Sequence, residues 1–311
     1  MMRGFHRGLS ILLLGWVVAG ASGQSSAREL IEDNHFQRGF ILWETKPGQH
    51  IRYGELKGLQ PDARPVWGLS QWSSKFPLAA VLAKYSAGAL VCSNAAKTIR
   101  ISGKPTGFTM AVNSRVEYGG RARSQSDPWV HLLVEQEFTA PPKLADLSAA
   151  RLHVEARLLH STNLHHGDYS PDRHAAQFQI FFTVQNRNRQ SPGLGDFLWF
   201  GVPIYDNRNR FAKEFKAQDF GGTAKFIFTL GGETYAKESV HDGKWIVIDK
   251  DLLPLMREAL ETAWARGFLK GSKKFSDYGI GGMNLGWELP GTFAVAMQVR
   301  NLSLCARPIT P

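Results

Sequence analysis

From Lys97 onward, apolar and polar residues alternate with a period of two along most of the chain, the pattern of strands with one buried face. The alternation predicts strands over residues 98–101, 108–118, 129–138, 150–159, 175–184, 197–205, 224–230, 244–248, 278–289 and 293–304. Turn formers separate them, among them Lys104-Pro105-Thr106-Gly107, Pro141-Pro142, Ser191-Pro192-Gly193, Gly231-Gly232 and Pro290-Gly291. An earlier hairpin is expected over residues 36–56, about the turn Lys46-Pro47-Gly48, followed by a less regular stretch with Trp67, Trp72 and Phe76. One segment changes period. Leu252, Leu255, Met256, Ala259, Leu260 and Ala263 recur at the spacing of a helix face. Asp249 or Asp251 can cap its start, Pro254 suits its first turn, and Gly267 ends it. Ten or more strands with one late α-helix predict an all-β chain, a two-sheet jelly-roll β-sandwich.

The opening residues depart from this pattern. Arg3 and Arg7 precede an apolar run over residues 11–19, and Gly20, Ala21, Ser22 and Gly23 follow. That order reads as a signal peptide over residues 1–23, with the sandwich as a single domain over 24–311 and a secreted or periplasmic location. The run is shorter than the roughly 20 residues that span a bilayer. The whole chain of 311 residues has 37 Lys+Arg against 27 Asp+Glu, a net charge of +10. Removing residues 1–23 takes away two Arg, leaving 35 basic against 27 acidic residues, or +8. No nucleic-acid-reading motif accompanies the surplus, so no nucleic acid is expected as partner, and the charge suggests solubility, a cell-surface interaction or attraction to an acidic glycan; the partner expected is a polysaccharide, of which an acidic one would suit the charge. Cys92 and Cys305 are the only cysteines, and in an oxidising compartment one pairing is open to them, a disulfide Cys92–Cys305.

Alternation also sorts residues by face. Trp129, His131, Glu135 and Glu137 oppose Val130, Leu132 and Val134; His153, Glu155 and Arg157 oppose Leu152, Val154 and Ala156; Gln177, Gln179 and Phe181 oppose Phe178, Ile180 and Phe182. Aromatic rings among amides and carboxylates suit a sugar groove, because rings cover the apolar faces of pyranoses and polar groups satisfy desolvated hydroxyls. The alternative is a solvated face with cross-strand ion pairs. Trp129, Glu135, Glu137, His153, Arg157, Gln177, Gln179, Tyr205 and Asn284 are the candidate substrate-binding residues.

The last third carries a resemblance. A helix ending in Arg266-Gly267-Phe268-Leu269, then a strand with Gly286-Trp287-Glu288-Leu289, then a final apolar strand, resembles glycoside hydrolase family 12, retaining β-glucanases and xyloglucanases on a concanavalin A-like jelly roll. The resemblance implies that Glu288 is the acid/base. The family's nucleophilic Glu falls at Gln179 in this chain, within Phe178-Gln179-Ile180-Phe181-Phe182. An amide cannot form the covalent glycosyl intermediate in the ordinary way. Glu155, or Glu135 or Glu137, is then the candidate second carboxylate; retention needs about 5–5.5 Å between the pair and inversion about 6.5–9.5 Å.

Three readings follow: a glycan-binding sandwich that keeps the groove without the nucleophile, a glycoside hydrolase using Glu288 and Glu155, and a polysaccharide lyase on an acidic glycan. The lyase reading would draw on Gln177, Gln179, His153, Arg157, His174 and Tyr205. No cofactor is expected, although structural calcium is common in such sandwiches. His165, His166, Asp168, Asp172 and His174 fit no zinc spacing and read as a solvated loop.

Overall fold

The computed structural model describes residues 26–220 and 222–310, so the expected signal peptide lies outside the described residues. Seventeen strands follow in order: β1 (Arg28–Glu29), β2 (Gly39–Trp43), β3 (Arg52–Lys57), β4 (Trp67–Ser70), β5 (Ala83–Ser86), β6 (Ala89–Ser93), β7 (Lys97–Gly103), β8 (Thr106–Asn113), β9 (Val130–Glu137), β10 (Leu147–Asn163), β11 (Gln177–Asn186), β12 (Phe197–Asp206), β13 (Phe215–Gln218), β14 (Phe226–Thr229), β15 (Ile246–Asp251), β16 (Tyr278–Leu289) and β17 (Phe293–Pro308). Two α-helices interrupt them, the single turn α1 (Ser114–Glu117) and α2 (Leu253–Ala265). Among the described residues no helix is long and apolar enough to cross a membrane.

The strands form a two-sheet jelly-roll β-sandwich. The smaller sheet runs β15-β10-β17-β8-β7-β6-β5, with β1 added beside β17; the larger runs β13-β14-β12-β11-β16-β9-β4-β2-β3. Pairing is antiparallel except for β2 with β4 and β12 with β14. One continuous core joins the inner faces, including Leu152, Val154, Phe178, Ile180, Phe182, Leu285 and Val299. Trp287 locks the two layers together. Its indole is fully buried between Phe178 and Tyr205, and Nε1 donates to Met110 O across the sandwich at 2.9 Å.

The late helix starts at Leu253 with Pro254 in its first turn, and Asp251 Oδ1 accepts from Leu253 N at 3.1 Å. Gly267, at φ 81, follows its end. Elsewhere the strand bounds shift. The strand expected through Tyr118 stops at Asn113, because Ser114 Oγ donates to Gly291 O and accepts from Phe293 N, bending the chain into α1. β4 has no alternation to read, since all four of its residues are buried. β5 and β6 form a hairpin about Ala87-Gly88, both with positive φ, the geometry of a tight hairpin turn.

The expected disulfide is absent: both cysteines are free. Cys92 is on β6 and Cys305 on β17, with β7 and β8 between them. Three strand spacings amount to about 14 Å, well beyond the roughly 4.4–6.8 Å that a bridge requires between Cα atoms.

Candidate functional site

The outer face of the larger sheet is a grid, because residues opposite each other on paired strands point the same way. The first row crosses Asp206 (β12), Gln177 (β11), Glu288 (β16) and His131 (β9), and Trp72 continues it past β4. The second crosses Pro203, Gln179, Gly286, Leu133 and Ser70. The third crosses Thr229, Gly201, Phe181, Asn284, Glu135 and Gly68. The fourth crosses Ile227, Trp199, Thr183, Gly282 and Glu137.

Rows two and three are sunken. Leu133 (2% exposed), Gln179 and Asn284 (both 7%) and Phe181 (8%) are buried on the outer side of the sheet, outside the core between the layers. Aromatic side chains stand around them. A Cβ on Gly68 would lie 2.0 Å from Trp43 Nε1, so only glycine there lets the indole edge rest on β4. Trp72 meets His131 edge-on at 5.6 Å, and Trp199 meets Phe181 at 6.0 Å. Eight buried side-chain polar atoms lack a hydrogen-bond partner among the described residues, and four of them belong to this face: Trp43 Nε1, Ser70 Oγ, Trp72 Nε1 and Asn284 Oδ1. Buried polar groups are normally satisfied, and half of the unpartnered ones gather on this face.

Glu288 stands at its centre. Gly286 approaches β9 so closely that a Cβ would lie 2.2 Å from Leu132 O, and this gap in row two lets Gln179 Nε2 donate to Glu288 Oε2 at 3.0 Å. Burial, and secondarily the charge of Asp219, push the Glu288 carboxyl up to about 7, against the Gln179 hydrogen bond. Asp219 comes from the tip of the β13–β14 hairpin, where it accepts from Thr223 N and Oγ1 at 2.7 and 2.8 Å; Trp199 Nε1 donates to Thr223 Oγ1. His131 Nε2 is 4.0 Å from Glu288 Oε1, but burial pushes that imidazole down to about 4. At neutral pH the contact is therefore not an ion pair. Glu288 is chemically a proton donor held near neutrality, the property of a general acid.

No expected second carboxylate stands beside it. Glu155 is on β10 of the other sheet and faces outward there, accepting from Arg300 Nε at 2.7 Å and Asn301 Nδ2 at 2.6 Å. Glu155 and Glu288 thus lie on opposite sides of the sandwich, which overturns their pairing. β10 and β11 are neighbours in sequence, but the intervening loop carries the chain from one sheet to the other. Glu135 and Glu137 share the face with Glu288 but stand two and three rows away, about 14 and 20 Å along the strands. Asp206 is two strands away in row one. Burial would raise it, yet Arg208, bonded to both its oxygens, holds it below the ordinary value.

The lyase set is dispersed as well. His153 and Arg157 share the outer face of the smaller sheet, His153 Nδ1 lying 3.7 Å from Asp249 Oδ2 and Arg157 Nε bonded to Gly243 O. Tyr205 points into the core and donates to Ser161 Oγ at 2.7 Å. His174 is buried and stacked on His165 at 4.4 Å, so the loop expected to be solvated is partly an aromatic cluster with Tyr169 and Phe293. Gln177 does lie on the face, donating to Asp206 Oδ2 at 3.1 Å, and Trp129, 43% exposed, extends it beyond β9. Among the described residues no three His, Cys, Asp or Glu gather as metal ligands. Trp43, His50, Trp72 and Asp219 belong to the site without having been singled out in the sequence; the aromatic and His residues flanking the turn at Lys46-Pro47-Gly48 were the available signal.

No protein-family model matches the chain, and no curated protein matches it. Among solved structures it is similar to endoglucanase cel12A from Rhodothermus marinus (TM-score 0.40, 11% identity, covering 71% of this chain and 93% of that one). It is also similar to a family 12 xyloglucanase from Bacillus licheniformis (TM-score 0.42, 9% identity, 72% and 97%). A family 11 xylanase from Neocallimastix patriciarum is a third such structure (TM-score 0.37, 11% identity, 72% and 94%). The likeness is one of fold.

Proposed function

We propose that this protein is exported and binds a polysaccharide across the outer face of its larger sheet without cleaving it. The observation that carries this reading is the gathering of four unpartnered buried polar atoms among the Trp43, Trp72 and Trp199 rings. Rings of this kind cover the apolar faces of sugars, and accessible polar groups beside them, Glu135 and Glu288 among them, satisfy sugar hydroxyls. Gln179, rather than a carboxylate, touches Glu288, which removes the retaining route. Glu288 supports a second reading, hydrolysis, because its carboxyl keeps a proton near neutrality and Asp219 is close enough to contribute to that.

Native gel electrophoresis through polysaccharide-containing gels, run beside an assay for reducing ends, tests both. Retardation without new reducing ends, lost in Trp43→Ala with Trp199→Ala, is the expected result. Reducing ends that vanish in Glu288→Gln would establish the hydrolase instead. Unsaturated uronate products would establish a lyase.

A further inference from the structure

An open cavity of about 740 Å³ lies at the start of β12. Its walls come from three segments: the loop entering β12 (192–197), the start of β14 (224–226) and the chain just after α2 (267–271). Ligand sites have volumes of roughly 300–1,000 Å³, so this one is large enough for a sugar unit. Phe197 belongs both to the cavity and to the outer face of the larger sheet. It is the next outward residue to Trp199 on β12, and the two rings meet edge-on at 5.0 Å. The cavity therefore continues the aromatic border of the face.

The backbone around it is held in an uncommon shape. Gly195, Ala224, Gly267 and Leu269 all line the cavity with positive φ, and two of the four are not glycine. Such conformations cost energy outside glycine and gather where ligands are held. Gly193 and Gly271 close one end: a Cβ on Gly271 would lie 2.4 Å from Gly193 Cα, so the contact admits only glycine. The consecutive amides of Leu269, Lys270 and Gly271 have no acceptor among the described residues. Lys270 is exposed beside them and has no salt bridge among the described residues. The other lysine of the cavity, Lys225, is bonded to Asp196 at 2.6 Å. Residues 187–197 and 266–277 together carry Arg187, Arg189, Arg266, Lys270, Lys273 and Lys274 against Asp196 and Asp277. Both acids are already engaged, Asp196 by Lys225 and Asp277 by Asn188 and Ser272. Unpaired cations, free amide donors and the apolar side chains of Leu194 and Phe268 fit a ligand that joins a negative charge to a ring.

We propose that this cavity is a further carbohydrate subsite, which holds a uronic acid unit of the bound polysaccharide. The uronate carboxylate accepts from the Lys270 ammonium and the amides of residues 269–271, and the sugar ring lies against Leu194 and Phe268. This rests on the glycan-binding reading above and gives an acidic glycan its place on the molecule. Glu288 is opposite Gln177 and Phe197 is opposite Gln185, so the anionic unit sits at the other end of β11 from the Glu288 carboxyl.

Titration calorimetry of the full chain at low salt, with equal-length oligomers of galacturonate, its methyl ester and glucose, tests it. The galacturonate oligomer is expected to bind about tenfold more tightly than the other two, the effect of one charge-assisted hydrogen bond. Lys270→Gln should erase most of that preference. Lys84→Gln, on β5 at the edge of the smaller sheet, removes the same charge and should keep it. Equal binding of galacturonate and its methyl ester overturns the cavity assignment and leaves glycan binding standing. So does a preference that survives Lys270→Gln or falls equally in Lys84→Gln. No binding of any of the three overturns both.

Discussion

Glu288 keeps its proton because it sits in a half-buried row beside a neutral imidazole and within reach of a second carboxylate. Its value rises from 4.5 to about 7, worth on the order of 3 kcal/mol between its protonation states. The native state therefore holds this proton more tightly than the unfolded chain does. Its contribution to stability is complete below about pH 4.5 and is lost as pH rises through 7. Glu288→Gln should consequently gain stability relative to the parent by about 3 kcal/mol between pH 4.5 and 7.5, measured by urea unfolding; a pH-independent difference would refute the assignment. At this scale the sequence was partly legible. Alternation put Gln177, Gln179 and Phe181 on one face, and strand pairing brings Glu288 beside them. It could not show that Glu155 belongs to the other sheet, because a period of two names a side of a strand and not the sheet that contains it.

Elements that the pattern missed are the ones that frame the site. β4 is buried on both sides, so its sequence has no period, yet it carries Gly68 and Ser70. The β13–β14 hairpin contributes Asp219 and Thr223 through tertiary folding alone. Replacing residues 219–224 by a short turn should remove the like charge near Glu288 and lower its titration midpoint, readable by carboxyl carbon NMR; an unchanged midpoint would show that burial alone sets it. A second device fixes α1. Lys97 on β7 and Glu117 on α1 form an ion pair with no side-chain exposure, and Ser74 bonds to both. Lys97→Met leaves Glu117 as an uncompensated buried charge, a loss of about 3–5 kcal/mol. Denaturant midpoints of Lys97→Met and of the double variant with Glu117→Leu should differ, the double being the more stable.

On the scale of the molecule, the free thiols give the simplest check of the topology. Cys92 is 1% exposed, and burial pushes its thiol up to about 11, whereas Cys305 is only half-buried. Maleimide should label one site in the native protein and two after unfolding, and oxidation should not join them; an intramolecular bridge would contradict the strand order. The overall fold was legible from alternation because both sheets pack their inner faces on a single core. The pairing order was not, since partners such as β10 and β17 are far apart in sequence. That order has a further consequence. β16 joins β11 to β9 in the larger sheet, and β17 joins β10 to β8 in the smaller one. Both keystones are adjacent in the chain, within residues 278–308. Until residues 278–308 are in place neither layer can close, although local pairings such as β5–β6–β7–β8 and β11–β12 need neither keystone. The closing of both layers thus hangs on one contiguous stretch of chain, so a cut or an insertion between β16 and β17 would strike the two sheets together.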